Sequence, residues 1–155
     1  MKLNGEIVRN DIIEYVVIPR QTKNLVFKFK PVLKTDEFDN YVKKPEPPKI
    51  LLAGQTEASL DFEDEDYKKK LFDYVQSQYN WMFLQSIKAT EDIEWETVKD
   101  NDPATWGNYA KELLDSGFST AETNMIVAGF NKANALDEKK LEAARASFLA
   151  TMGQV

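Results

Sequence analysis

The stretch "DIIEYVVIPRQTKNLVFKFKPVL", residues 11–33, decides the fold class, because it holds two short apolar segments with a polar connection between them. In the second segment, residues 25–33, Phe27 and Phe29 alternate with lysines, which predicts a strand with one buried side and one solvent-facing side. The first segment, residues 11–20, has apolar residues on both faces and predicts a strand buried on both sides. Two strands alone are marginally stable, so the predicted hairpin must pack on other elements.

A long helix is predicted at residues 64–88, where apolar residues recur at helical spacing around most of the circumference. Acidic residues dominate positions 61–66 and three lysines follow at 68–70, which is the order that the helix macrodipole favours at an N-terminus. A helix that is apolar nearly all round is typical of a central position in the fold.

Start and stop signals predict three shorter helices after the long one. Asp102 followed by Pro103 indicates the beginning of the first, and Gly117 stands just past its end. The second begins with Ser119 and Glu122 in the spacing of a capping box.

The ends of the last two helices are predicted from similar signals. Asn134 is expected to end the second helix in a left-handed conformation. Asp137 is the predicted N-cap of the third, with Leu136 packing on Leu141 as a hydrophobic staple. The buried face of this last helix is expected to consist of four apolar residues: Leu141, Ala144, Phe148 and Leu149.

Together these elements predict one α+β domain over residues 1–155. An N-terminal β-hairpin or small antiparallel sheet, within residues 1–42, packs on a mainly helical C-terminal part of about four helices at residues 61–155. Residues 43–60 form a proline-containing joint between the two parts.

Composition excludes several classes of function. The chain has no cysteine and no histidine, which removes disulfides, the usual zinc sites and triad-type hydrolases. We therefore expect no enzyme, no metal site and no cofactor. A net charge of −6 disfavours binding to nucleic acid, and the absence of any run of eighteen apolar residues disfavours a membrane span. The start "MKLNGEIVRNDIIEY" has charges where a signal peptide has an apolar region.

Two acidic groups are the remaining candidates for chemistry. The cluster at residues 61–66 lacks the glycine of a calcium loop, so a helix start explains it better than a metal site does. Glu94 and Glu96 flank Trp95, which brings together the residue types of a sugar-cleaving site. We expect Trp95 instead to fill a gap between the long helix and the helices after it. One further hypothesis is a small enzyme that uses these carboxylates. Loss of an enzymatic activity when both glutamates are changed to Gln would support it.

Candidates for contact with a partner come from the joint and from the aromatic residues. In "YVKKPEPPKILLAGQ", residues 41–55, the prolines have the P-x-x-P spacing of a polyproline ligand, although stiffening of the joint is the favoured interpretation. Tryptophan and tyrosine are enriched at the centres of protein interfaces, although most of those in this chain are expected in the core. The partner-binding candidates are therefore Pro45, Pro47, Pro48, Trp95, Trp106 and Tyr109.

The order of segments resembles the tail assembly chaperones of long-tailed bacteriophages, small proteins encoded among phage tail genes. The most specific pieces are "IEWETV" followed by "PATW", and "ANALDEKKLEAARASFL", and the resemblance extends from about Val16 to Leu149. A strand that ends in "VVIPR", a second strand "LVFKFKPV" and then the segment "KKPEPPK" resemble the N-terminal half of the family. Its members often carry a cysteine before the Pro-Glu-Pro segment, and Val42 to Lys44 contain none.

The resemblance implies a non-enzymatic role in virion assembly. Such chaperones hold the tape-measure protein soluble and help to recruit tail tube subunits around it, so both are the expected partners. The expected location is the cytoplasm of the infected host cell, and the formation of a homo-oligomer stays open. The alternative is a stable part of the virion, such as a neck, tail-completion or decoration protein.

Overall fold

The computed structural model describes residues 1–9 and 12–153, except the side chain of Lys140. The chain forms two compact units, each assembled from separate stretches of sequence. The prediction of one folding domain stays a prediction. The predicted joint at residues 43–60 lies wholly inside the second of these units. Unit 1 comprises Met1–Val32, Gln85–Glu94 and Leu113–Val155, and unit 2 comprises Leu33–Leu84 and Trp95–Glu112.

Three two-stranded antiparallel sheets and a set of helices make up the described chain, which confirms the predicted α+β class. The strands are β1 (Lys2–Leu3) paired with β2 (Glu6–Ile7), β3 (Glu14–Ile18) with β4 (Leu25–Phe29), and β5 (Lys49–Ile50) with β6 (Ser59–Leu60). The helices are α1 (Asp36–Asp39), α2 (Glu65–Ile87), α3 (Tyr109–Asp115), α4 (Thr120–Ala133) and α5 (Glu138–Met152), with a 3₁₀ segment, Pro103–Asn108, before α3.

The β3–β4 hairpin confirms the two predicted strands but corrects the burial of the first. Val16 and Ile18 of β3 are buried together with the aromatic residues of β4, whereas Tyr15 and Val17 are 56 % and 46 % exposed. The prediction that this strand is buried on both sides is therefore wrong. Within unit 1, α4 packs on only one face of the hairpin, so alternate side chains remain in solvent. Asp11, the predicted start of the strand, lies outside the described residues.

Helix α4 approaches the hairpin closely because its contact residue has no side chain. A Cβ atom on Gly129 would lie 2.3 Å from Cγ2 of Val16 and 3.3 Å from the ring of Phe29. The ring of Phe130 lies 6.5 Å from that of Phe29, and Ile126 is fully buried on the same side of the helix. The hairpin and α4 thus form the core of unit 1.

The two ends of α4 are stabilised in different ways. At the N-terminus the predicted capping box is present, since Ser119 accepts a hydrogen bond from the Glu122 backbone and the Glu122 side chain accepts one from the Ser119 backbone. At the C-terminus Asn134 has a φ of −99°, so its predicted left-handed conformation is wrong. Ala135 adopts the positive φ instead, at 55°. The Asn134 side chain is held in place because it accepts a hydrogen bond from the backbone of Val32, at 2.7 Å.

Helix α2 confirms the predicted long helix to within one residue at each end. Asp64 caps its N-terminus by accepting a hydrogen bond from the backbone N–H of Tyr67, at 2.8 Å. Its C-terminal half is largely buried, but Phe72 and Val75 in its N-terminal half are exposed. The prediction that α2 is central along its whole length is therefore wrong at these two positions.

The segment after residue 101 divides into a 3₁₀ segment and a short α-helix where one helix was predicted. Asp102 is the N-cap as predicted, accepting a hydrogen bond from Ala104 N–H, and Pro103 follows at the first helical position. Gly117 has a φ of +96°, as expected of a residue that ends a helix. In the predicted joint, β5 and β6 form a small hairpin that the sequence did not indicate.

Helix α5 forms where predicted, but it does not bury its apolar side. Every described side chain of α5 is exposed, including Leu141, Phe148 and Leu149, so the predicted inner face of this helix is wrong. The apolar residues still share one side of the helix, because their spacing follows the helical period.

Replacement of Gly129 by alanine tests the close approach of α4 to the hairpin. Helix propensity alone would favour alanine by about 1 kcal/mol. Overpacking against Val16 costs about 1–3 kcal/mol, so we expect Gly129→Ala to lower the free energy of unfolding, measured by urea denaturation. Adding Val16→Ala, which removes the clashing methyl group, should make the double variant more stable than the sum of the single effects implies. An increase in stability for Gly129→Ala alone would contradict this packing.

Candidate interaction site

The aromatic candidate Trp106 is a core residue of unit 2. Its side chain is fully buried, and its indole N–H donates a hydrogen bond to the carbonyl of Asp100, at 3.2 Å. The rings of Phe38 and Tyr41 lie 6.1 Å and 5.7 Å from that of Trp106. Residues of α1 and of the turn after it therefore pack around this tryptophan, whose ring is not accessible to a partner in this conformation.

Tyr109 occupies a second buried position in unit 2. Its ring stacks on that of Phe83, with centroids 3.9 Å apart and an angle of 16° between the planes. Burial raises the pKa of the Tyr109 hydroxyl to about 12, and interaction with Tyr79 contributes in the same direction. Tyr109 thus joins α2 to α3 in the interior and does not form part of the surface.

Trp95 is half-buried and lies in a loop that Glu112 holds. The Glu112 carboxylate accepts hydrogen bonds from the backbone N–H of Glu96, at 2.6 Å, and from the backbone and hydroxyl of Thr97, at 3.0 and 2.6 Å. Burial alone would raise the pKa of Glu112, but hydrogen bonds from Thr97, Glu96 and Val98 together lower it. The sequence did not single out Glu112, since nothing in its local spacing marks it.

The prolines lie in an extended segment of unit 2 that borders an open groove. Pro45 and Pro47 are half-buried, and Pro48 is exposed. Pro45 lines a groove of about 480 Å³ together with Lys43, Lys44 and residues of α2. The carbonyl of Pro48 accepts a hydrogen bond from Asp61 N–H, at 2.7 Å, so the segment is fixed where the β5–β6 hairpin closes. The prolines and Trp95 stay predictions as partner-binding residues.

The acidic cluster at residues 61–66 acts at the start of α2. Asp61 accepts a hydrogen bond from the Glu63 backbone, and Asp64 caps the helix as described above. Lys68 lies 2.7 Å from the Glu63 carboxylate, which raises the pKa of this lysine through a hydrogen bond and charge attraction. Within the described residues, no group of three or more metal-ligating side chains is placed to hold a metal ion.

Two surfaces of unit 1 were missed by reasoning from the sequence. The first is the outer face of the β3–β4 hairpin, where Tyr15, Val17 and Val26 are exposed side by side. The second is the apolar side of α5, with Leu141, Phe148, Leu149 and Met152 exposed. Both surfaces expose several large apolar side chains to water, which is typical of protein-interaction sites. No helix in the described part of the chain is long and apolar enough to span a membrane.

Comparison with known proteins gives no match to this chain among protein-family models, curated proteins or solved structures.

Replacement of Glu112 by Gln tests whether this carboxylate holds the Trp95 loop. We expect a loss of about 1–2 kcal/mol in the free energy of unfolding at pH 7, because charged acceptors make stronger hydrogen bonds than amides. The folded pKa of Glu112 is lowered, so its contribution is complete above the usual glutamate pKa and disappears as pH falls through the folded value. The difference between wild type and Glu112→Gln in urea denaturation should therefore shrink steadily below about pH 4.5. A difference that is independent of pH would contradict this role.

Proposed function

We propose that this protein is a non-enzymatic phage morphogenesis protein, a tail assembly chaperone that binds tape-measure or tail tube proteins while the tail is assembled. The observation that carries the proposal is the exposed apolar side of α5. A helix that leaves large apolar side chains in solvent is typical of a segment that binds another protein. The resemblance of the segment order to phage tail chaperones supplies the class of partner.

The chemistry of α5 suits transient binding to apolar helical segments. Leu141 and Phe148 are two turns apart and Met152 lies one turn further, so the three line one side of the helix. Burial of each such side chain against a partner contributes about 1.5–3 kcal/mol before the entropic cost of association. The net charge of −6 keeps the complex soluble while apolar surface is covered. The proposed location is the cytoplasm of the infected host cell.

The experiment that tests the proposal compares the amount of this protein in purified virions and in the lysate of infected cells by quantitative mass spectrometry. A chaperone that acts during assembly and leaves is expected to be abundant in the lysate and missing from particles. Retention in particles at a fixed copy number would contradict the proposal and favour the alternative, a stable virion component.

Replacement of Phe148 by Ser tests the role of α5. Phe148 is 61 % exposed, so the free energy of unfolding of the variant should lie within about 0.5 kcal/mol of the wild-type value. Its capture of tail proteins from infected cells, measured by affinity purification, should nevertheless fall several-fold, because the apolar contact is lost. Phe72→Ser is a matched control, since Phe72 is 68 % exposed on α2. Equal losses in both variants, or no loss in Phe148→Ser, would contradict a specific role for α5.

A further inference from the structure

The two outer edges of the β3–β4 hairpin differ in how their backbone groups are bonded. Along β4, the Thr90 hydroxyl accepts a hydrogen bond from the N–H of Lys28, at 2.9 Å, and donates one to the carbonyl of the same residue. Lys30 N–H donates to the carbonyl of Ser86, whose hydroxyl donates to the carbonyl of Lys30. Other residues of unit 1 therefore close the β4 edge.

The edge of β3 is open. Tyr15 lies opposite Lys28, whose backbone groups point away from β3, so this pair is not hydrogen-bonded across the hairpin. By the same alternation, Tyr15 and Val17 point their N–H and C=O groups away from β4. Among the described residues, no group forms a hydrogen bond with these backbone atoms. The edge also lacks the usual protection, since no lysine or proline lies within β3.

Helix α4 extends beyond this open edge and lines a groove beside it. The groove is about 220 Å³, and its α4 side consists of Met125, Ala128, Gly129 and Lys132. Met125, Ala128 and Lys132 recur at helical spacing, so they form one flank of α4. Met125 is 50 % exposed and Ala128 is exposed as well, so the two-stranded hairpin does not cover this flank. A third strand beside β3 would cover it.

The groove determines which side chain a third strand would place in it. A residue opposite Val16 has its side chain on the same face of the sheet as Val16, which is the face that α4 covers. That side chain would lie beside Met125 and over Ala128, which is too small to obstruct it. Glu14 and Lys132, which also line the groove, carry opposite charges and leave it without net charge. These features favour an uncharged strand with an aliphatic residue at its centre.

The position of α4 limits what can carry this strand. Gly129 lies so close to Val16 that a Cβ atom on the glycine would be 2.3 Å from Cγ2 of the valine. Neighbouring strands are about 4.8 Å apart, whereas packed helices need about 8–10 Å between their axes. A partner strand with its own helix similarly placed on the same face would therefore collide with α4. The edge accepts a segment that has no such helix beneath it.

We propose that the open edge of β3 binds an extended, uncharged segment of another protein as a third strand of the sheet. The backbone of this segment forms hydrogen bonds with the outward groups of Tyr15 and Val17, and its central aliphatic side chain fills the groove over Ala128. In this mode of recognition, backbone hydrogen bonds provide affinity and the pocket for a side chain provides selectivity. The inference does not depend on the proposed role in phage assembly.

A synthetic peptide tests the binding. The probe is a capped peptide with valine at its centre, two threonines on each side of the valine and a lysine at each end. Its addition to the wild-type chain should slow the hydrogen exchange of the Tyr15 and Val17 amides, measured by NMR, because each N–H gains an acceptor. The same peptide with aspartate at its centre should bind at least about tenfold more weakly, since the groove would bury its charge.

Replacement of Val17 by proline tests the backbone contact. The change removes an N–H that points outward, and proline is tolerated on edge strands, so the variant should stay folded by circular dichroism. Its affinity for the valine peptide should fall at least about tenfold. Val26→Pro is the matched control, because Val26 lies opposite Val17 and its N–H points outward on the other edge. This control should bind the peptide within about twofold of wild type.

Replacement of Ala128 by tryptophan keeps the proposal testable if a proline variant fails to fold. Ala128 is exposed, so a larger side chain does not disturb the core, but it fills the groove. Ala128→Trp should therefore bind the valine peptide at least about tenfold more weakly than wild type. Asn124→Trp is the matched control, because Asn124 is also exposed on α4 but does not line the groove.

Three results on the purified chain would overturn the proposal. These are unchanged exchange of both amides at about 5 mM valine peptide, equal affinities for the valine and aspartate peptides, or equal affinities of Ala128→Trp and Asn124→Trp. Protection of the two amides that needs no peptide and rises with protein concentration would assign the edge to a second copy, and would also overturn it. Phe148→Ser should bind the peptide as wild type does, so failure here is distinguishable from failure of the proposed role of α5.

Discussion

The close approach of Gly129 to Val16 is the constraint on which unit 1 depends. Because no side chain separates the α4 backbone from β3 at this point, Phe29 and Phe130 can meet in the core. Helix α4 also contacts the hairpin at its two ends. Arg20 forms an ion pair with Glu122, at 2.6 Å, and lies over the ring of Phe118, while Asn134 bonds the backbone of Val32. One face of the hairpin is thereby covered by α4.

Because α4 covers only one face of the hairpin, unit 1 has much exposed apolar surface elsewhere. A two-stranded sheet with a single helix on it leaves its second face in solvent, and the exposed Tyr15 and Val17 follow from that arrangement. The end of α2 closes one edge of the sheet and leaves the other open. Helix α5 adds a further apolar side that the described chain does not cover.

Unit 2 uses its aromatic residues differently. Phe38 lies within about 6 Å of both Trp81 and Trp106, so three large rings fill one core region. Tyr109 stacks on Phe83 nearby in the same unit. Packing therefore explains the buried Trp106 and Tyr109 of this unit, and the proline segment borders an open groove on its surface. Glu112 contributes by holding the loop that carries Trp95.

Local features of the sequence determined where several helical segments of this protein begin. The capping box of Ser119, the N-cap of Asp102 and the bounds of α2 were all predictable, because each depends on atoms within a few residues along the chain. The alternation of Phe27 and Phe29 with lysines likewise predicted the buried side of β4.

Tertiary structure alone decided which apolar faces are covered. The apolar periodicity of β3 and α5 is the same whether or not another element packs on it, so sequence cannot distinguish a core face from an exposed one. Asn134 shows the same limit at a single residue, since its side chain accepts a hydrogen bond from the backbone of Val32, 102 positions away in sequence. Contacts between distant parts of the chain decide which apolar faces stay uncovered in the described structure.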